Sequence, residues 1–182
     1  MSKAHYITPT GPTPDVMAVR LGSARANAGV PGTGGSMTDT DAGKFVKLVG
    51  ESQYDLCASG DVIEAQIVSV EAALSDGWSI GGVKETKEIY ATAAGLQATE
   101  GTGNIAVGDY VVAGTQDAKG VPMTTAYPKV VKATAQLGSA PADLAAAGAQ
   151  AKLSAHAWRV VSLGPTGTGA PGTTIVITRL GS

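Results

Sequence analysis

The chain has 182 residues, 13 Lys+Arg against 15 Asp+Glu, and a hydrophobic content of 43% that includes only 4% aromatics and a single Phe. That length suits one domain with enough core to fold without a metal or a disulfide, and a core built mainly of Ala and Val suits thin, close-packed sheets better than a roomy aromatic-lined pocket. The single cysteine, Cys57, excludes an internal disulfide and fits a reducing compartment. Residues 1–10 lack the apolar stretch of a secretory signal, and no run approaches the roughly 18 apolar residues of a membrane span. The nearest, Ala140 to Ala157, is broken by Asp143, Gln150, Lys152 and His156. The expectation is a soluble protein made in the cytosol, with no membrane partner.

Residues 1–36 hold Pro9, Pro12, Pro14 and Pro31 among six glycines, with no helical or strand period. Proline fixes φ and removes a donor, and glycine raises the entropy of the free chain, so no independent structure is expected there. Spaced apolar residues along it suggest an extended N-terminal arm that gains order on another protein's surface; a loose leader is the plainer alternative. The candidate interaction residues are Tyr6, Ile7, Val16, Met17, Val19, Arg20, Leu21 and Arg25.

From residue 37 to 182 the pattern reads as one β-domain. Short β-rich runs predict strands over Lys44–Val49, Asp61–Val70, Trp78–Val83, Lys87–Thr92, Tyr110–Ala113, Pro128–Ala135, Ala157–Leu163 and Thr173–Leu180. Gly/Asp/Ser combinations such as Ser59-Gly60-Asp61, Ala94-Gly95 and Val107-Gly108-Asp109 separate them. Ile63, Ala65 and Ile67 alternate with Glu64 and Gln66, which marks a strand with one buried face. Ser139 and Pro141 can start a short Ala-rich helix that Gly148 stops, so residues 138–156 read as an insertion. The fold class is all-β: a small β-barrel or sandwich with an extended N-terminal arm and a short helical insertion.

Charge is unevenly placed. Residues 51–118 carry eleven acids against Lys84 and Lys87, whereas residues 119–182 carry six bases against Asp143. Such blocks are either a mixed solvated surface or opposite-sign faces that guide partners into register. Scattered bases and few aromatics give no footprint for nucleic acid.

The search for chemistry yields little. Gly167 to Gly172 matches G-x-G-x-x-G, but the β-branched run Thr173–Thr178 follows where a phosphate-binding helix is needed. His5, His156 and Cys57 cannot complete a four-ligand zinc site, and a Cys57–His156 nucleophile pair lacks an evident third group. The acids Glu64, Glu71, Asp76, Glu85 and Glu88 read as solvated, with only Trp78 and Trp158 as sugar platforms for two-carboxylate chemistry. The chain is therefore expected to be no enzyme and to need no metal or cofactor.

Three segments carry a family resemblance: Ala58-Ser59-Gly60-Asp61-Val62-Ile63, Asp76-Gly77-Trp78-Ser79-Ile80-Gly81, and Ile105-Ala106-Val107-Gly108-Asp109-Tyr110-Val111-Val112. Across residues 43–114 the chain resembles the capsid cement, or head decoration, proteins of tailed double-stranded-DNA phages, in which a Gly-Asp turn leads into a valine-rich strand. The long leader and residues 138–156 depart from that compact pattern. The resemblance implies a virion protein on the outer capsid surface, bound to the major capsid protein across capsomer joints. It also implies self-association, with a homotrimer expected. A tail or spike-base protein, and a small ligand-binding barrel or enzyme, are the alternatives.

Overall fold

Runs of four to nine residues with alternating burial, punctuated by glycine turns, can only satisfy their backbone groups by pairing with one another. The computed structural model describes residues 16–22, 37–71, 79–85, 87–134, 147–148, 150–151 and 157–180. Among them the first set of strands is β1 (Val16–Leu21), β2 (Phe45–Gly50), β3 (Gln53–Leu56), β4 (Ala65–Glu71) and β5 (Ser79–Lys84). These close a barrel in the order β1-β3-β2-β4-β5. The second set is β6 (Glu88–Leu96), β7 (Thr99–Glu100), β8 (Tyr110–Ala113), β9 (Lys129–Lys132), β10 (Trp158–Ser162) and β11 (Thr174–Arg179). Its order is β11-β10-β8-β9-β6-β7, and β11 also pairs with β6, so the five longer strands return on themselves as a second ring. The fold is all-β and made of small barrels.

The two rings are copies of one plan. In each, the first strand runs parallel to the third and antiparallel to the fifth: β1 with β3 and β5, β6 with β9 and β11. The second strand pairs with the third and fourth in both rings, and the fourth with the fifth. Even the irregularity recurs, because a bulge falls at Ile67/Ser69 in β4 and at Val160/Ser162 in β10. Aligning on that bulge sets Ala65-Gln66-Ile67-Val68-Ser69 against Trp158-Arg159-Val160-Val161-Ser162. The skipped residues, Val68 and Val161, are both exposed. A β-bulge bends its strand and tightens the twist, which a five-stranded ring needs to close.

Small residues make such tight rings possible. Ala91, Ala93 and Ala113 are buried in the second core beside Ile175 and Ile177, and Val19, Leu21, Val46, Ile67 and Val83 fill the first. At Gly81 on β5 a Cβ would lie 2.2 Å from the Ser69 carbonyl oxygen and 2.6 Å from Leu21, so only glycine lets β4 and β5 approach there.

The rings are joined through shared core and one buried ion pair. Phe45, Cys57 and Ile63 belong to the first ring and its β3–β4 connection, yet they pack in the second ring's core. The Trp158 indole, buried in that cluster, donates its Nε1–H to the Ile63 carbonyl at 2.9 Å. Gly60 donates to the Ala113 carbonyl, and Ala113 donates back to that of Asp61. Lys44 and Asp41 are both wholly buried and pair at 2.6 Å. The ammonium also donates to the carbonyls of Ala118 and Val121, at 2.8 and 2.7 Å. The carboxylate accepts from the backbone N–H of Thr38 and of Gly120. Every strong donor and acceptor of the pair is thus matched, the condition under which a buried pair is tolerated.

Two expectations need correction. An arm over residues 1–36 does not hold for Val16–Leu21, which is the first strand of the barrel and is paired along its whole length to β5. Val19 and Leu21 point inward and are buried, while Ala18 and Arg20 lie on the outer face. The period-2 signal was present but six residues long and flanked by Pro and Gly. Of the insertion, Ala147, Gly148, Gln150 and Ala151 are helical, so Gly148 lies within helical backbone and does not stop it. The rest of that expected helix lies outside the described residues.

Replacing Lys44 with Met would leave the Asp41 carboxylate and two carbonyls buried without their cation. Urea denaturation of Lys44→Met should show a loss of about 3–5 kcal/mol; an unchanged midpoint would show that the pair does not hold the rings together.

Candidate interaction surface

β1 is parallel to β3 and β2 antiparallel to it, so the start of β1 and the end of β2 point to the same end of the first ring, although they are not strand neighbours. Val16 and Met17 at the one are 41 and 41% exposed, and Leu48 and Val49 at the other are 51 and 44% exposed, so apolar residues stand on the rim at that end. Apolar exposure at a barrel mouth is a feature of contact surfaces. Glu64 fixes the rim from beneath by accepting a hydrogen bond from the Leu48 backbone N–H.

Of the residues singled out in the leader, Val16 and Met17 lie on this rim. Val19 and Leu21 face the barrel interior, so they cannot anchor the chain to a partner. Arg20 sits half-buried on the outer face, opposite Gln53 and Ile80. Tyr6, Ile7 and Arg25 lie outside the described residues. In sequence Leu48 and Val49 read as the interior of the Lys44–Val49 strand, although two successive apolar residues ahead of Gly50 break the alternation.

A second stripe crosses the other ring: Tyr90 on β6, Val176 on β11 and Ser162 on β10 follow one another, with Tyr127 two residues ahead of β9 against Tyr90. Tyr90 and Ser162 are exposed, and Val176 and Tyr127 are half-buried. The rings of Tyr90 and Tyr127 stack at 5.3 Å between centroids with 27° between planes.

Part of the segregated charge is paired within the molecule. Lys119 pairs with Asp55, Lys129 with Asp117, Lys132 with Asp109 and Arg179 with Glu85, so four of the bases from residues 119–182 meet acids from residues 51–118. Lys47 adds a pair with Asp61. Together these pairs take up four of the six bases of residues 119–182 and five of the eleven acids of residues 51–118. The Asp117 carboxyl is held below the usual carboxylate range by the backbone N–H of Thr124, helped by the Thr124 hydroxyl and Lys129.

The Gly60-Asp61 and Gly108-Asp109 phrases build one recurring turn, which Thr40-Asp41 repeats without the glycine. Asp61 donates its N–H to the Ala58 carbonyl while its carboxylate accepts from the Ala58 N–H at 2.7 Å. Asp109 does the same with Ala106, at 2.8 Å, and Asp41 with Thr38, also at 2.8 Å. Each carboxylate then takes a lysine: Lys47, Lys132 and Lys44. These acids are structural caps.

The remaining chemical candidates are likewise accounted for. The glycine-rich loop before β11 is followed by a strand, and a Cβ at Gly169 would come 1.7 Å from the Ile105 carbonyl oxygen, so that glycine permits a loop contact. Trp158 is buried and offers no sugar platform, while Trp78 and both histidines lie outside the described residues. Among the described residues no group of three or more His, Cys, Asp or Glu could hold a metal, and no helix is long and apolar enough to cross a membrane. No protein-family model, curated protein or solved structure matches the chain.

Cys57 is buried in the shared core, and burial, with the nearby Asp61 carboxylate adding to it, pushes its thiol far up. A protonated, enclosed thiol is a poor nucleophile. Thiol reagents at pH 8 should label Cys57 only at the rate of unfolding. Above pH 9.0, where the unfolded thiol ionises, the unfolded chain releases a proton that the folded chain keeps, so stability falls as pH rises. Cys57→Ala should flatten that fall relative to the parent; an equal slope in both would refute the assignment.

Proposed function

We propose that this protein is a non-catalytic structural component of a virion, a capsid cement protein that binds the outer shell across capsomer joints. The observation that carries this reading is the apolar rim of Val16, Met17, Leu48 and Val49 on a closed, stiff ring. A closed ring has no long free edge to fray or to aggregate, and it presents its contact residues in fixed geometry. Two such rings locked by shared core and the Lys44–Asp41 pair make a rigid body suited to bridging neighbouring subunits. The Gly-Asp turns of the family resemblance support it further, because each one launches or brackets a core strand.

In this reading the major capsid protein is the partner, and the chain acts as a homo-oligomer, with a trimer the first form to test. Oligomers gain from effective concentration, so individually weak rim contacts add up across a symmetric site. Binding energy at the seams is the useful product, since it opposes the outward pressure of packaged DNA.

The experiment mixes purified protein with undecorated phage shells, images the particles and measures their resistance to heating. Decorated seams and a higher disruption temperature are expected. Met17→Glu and Leu48→Glu each place a charge where about 1.5–3 kcal/mol of side-chain burial is available, so each should weaken shell binding about tenfold or more. Deletion of residues 1–36 is not a test of an arm, because it removes β1; deletion of residues 1–15 keeps every residue of β1. Undecorated shells, or rim variants that bind like the parent, would sink the proposal.

A further inference from the structure

The duplicated plan separates surface features that the fold needs from those it does not. Matching rows run across the fourth, fifth and first strands of each ring. Ser69, Gly82 and Ala18 form one such row, and Ser162, Val176 and Tyr90 form its counterpart. The next outward row is Gln66, Lys84 and Val16 in the first ring, and Arg159, Thr178 and Glu88 in the second. The first ring closes with alanine where the second carries Tyr90, so closure does not require that aromatic ring.

Tyr90 is 53% exposed even though its ring stacks on that of Tyr127. One face of the ring is covered, and the other is therefore open to solvent. Ile175 and Ile177 point into the core, so Val176 and Thr178 point outward beside Tyr90 and Glu88. Outward residues two apart on a strand stand about 7 Å apart, and neighbouring strands about 4.8 Å. A polar row thus lies one step from the aromatic face. Among the described residues, neither the Tyr90 hydroxyl nor the Glu88 carboxylate has a hydrogen-bond partner. The Thr178 hydroxyl donates to the Lys87 carbonyl and keeps its oxygen for accepting. Arg159 is exposed and directs its Nε–H to the Gly108 carbonyl.

We infer that this outer face of the second ring binds an oligosaccharide built of pyranoses with equatorial hydroxyls, as in β-1,4-linked glucose or N-acetylglucosamine. Such a sugar shows only C–H groups on its two faces and carries its hydroxyls around the edge. Its flat face matches the open side of Tyr90, an apolar body with a polar tip. Its edge hydroxyls donate to Glu88 and Thr178, and a second unit continues across β11 toward Arg159. The Glu88 carboxylate makes the charge-assisted bond of the set. That same carboxylate opposes a phosphate backbone, which disfavours nucleic acid as the occupant. A protein's apolar face would bury Glu88 and Arg159 without satisfying them, whereas a sugar offers a hydroxyl to each. The platform is open on its outer side, so affinity is modest and specificity comes from the fixed spacing of the rows. The inference concerns the second ring and does not depend on the capsid reading.

The test titrates full-length protein with cellohexaose and with chitohexaose at millimolar sugar, read by calorimetry. Saturable binding of at least one of them is expected. Tyr90→Ala removes the platform and should weaken that binding about tenfold. Tyr90→Phe keeps the ring and should retain most of the affinity. Glu88→Ala removes an exposed acceptor without touching the stack and should weaken binding severalfold. All three variants should match the parent in circular dichroism and thermal midpoint, and Met17→Glu on the other ring should bind sugar like the parent. No binding of either sugar, or binding unchanged in both Tyr90→Ala and Glu88→Ala, would overturn the inference. A dimer of the sugar-free parent that Tyr90→Ala abolishes, with no sugar bound, would overturn it too and assign the face to a second copy.

Discussion

Each ring closes because its first strand is held between its third and fifth, parallel to one and antiparallel to the other. Antiparallel neighbours alone would leave an open sheet with two raw edges; the parallel contact returns the sheet to its start. Parallel pairing is long-range by necessity, since strands cannot meet that way through a tight turn. The described features follow from it: the burial of Val19 and Leu21, the requirement for Gly81 where strands converge, and the rim where β1 begins.

Closure also explains the composition. A five-stranded ring has a narrow interior that favours Ala, Val and Ile, and the first ring also buries Leu21, Met37 and Tyr54. Phe45 and Trp158, the largest fully buried apolar side chains among the described residues, sit in the cluster shared between the rings. The charged residues are divided similarly. One fully enclosed pair, Lys44 with Asp41, serves the junction, and partly exposed pairs join the acidic and basic halves of the chain. Exposed pairs contribute little each, so the junction's stability rests mainly on apolar burial and the matched buried pair.

Duplication gives the molecule an internal control. Where the rings agree, as at the bulges before Ser69 and Ser162, the shared feature serves the fold. Where they differ, as at Tyr90, whose ring stacks on Tyr127 in the second ring alone among the described residues, the feature is not required by the shared plan.

Local pattern alone determined the all-β class, eight of the strands, the buried face of Ala65 and Ile67, and the strand after the glycine-rich loop, because alternation and turn chemistry act over a few residues; Ile63, read on that same face, lies ahead of β4 and packs in the other core. The same local reading missed β1, β3 and the two-residue β7, each short and set among glycine, proline or polar neighbours, and it missed the repeat, since only pairing partners are retained between the halves. It placed Val19 and Leu21 on a partner's surface, where the tertiary structure puts them inside. Which apolar residues face a core and which are left at a rim depends on what lies across the sheet, and which acids meet which lysines depends on ring closure. Neither is written in any window of the chain.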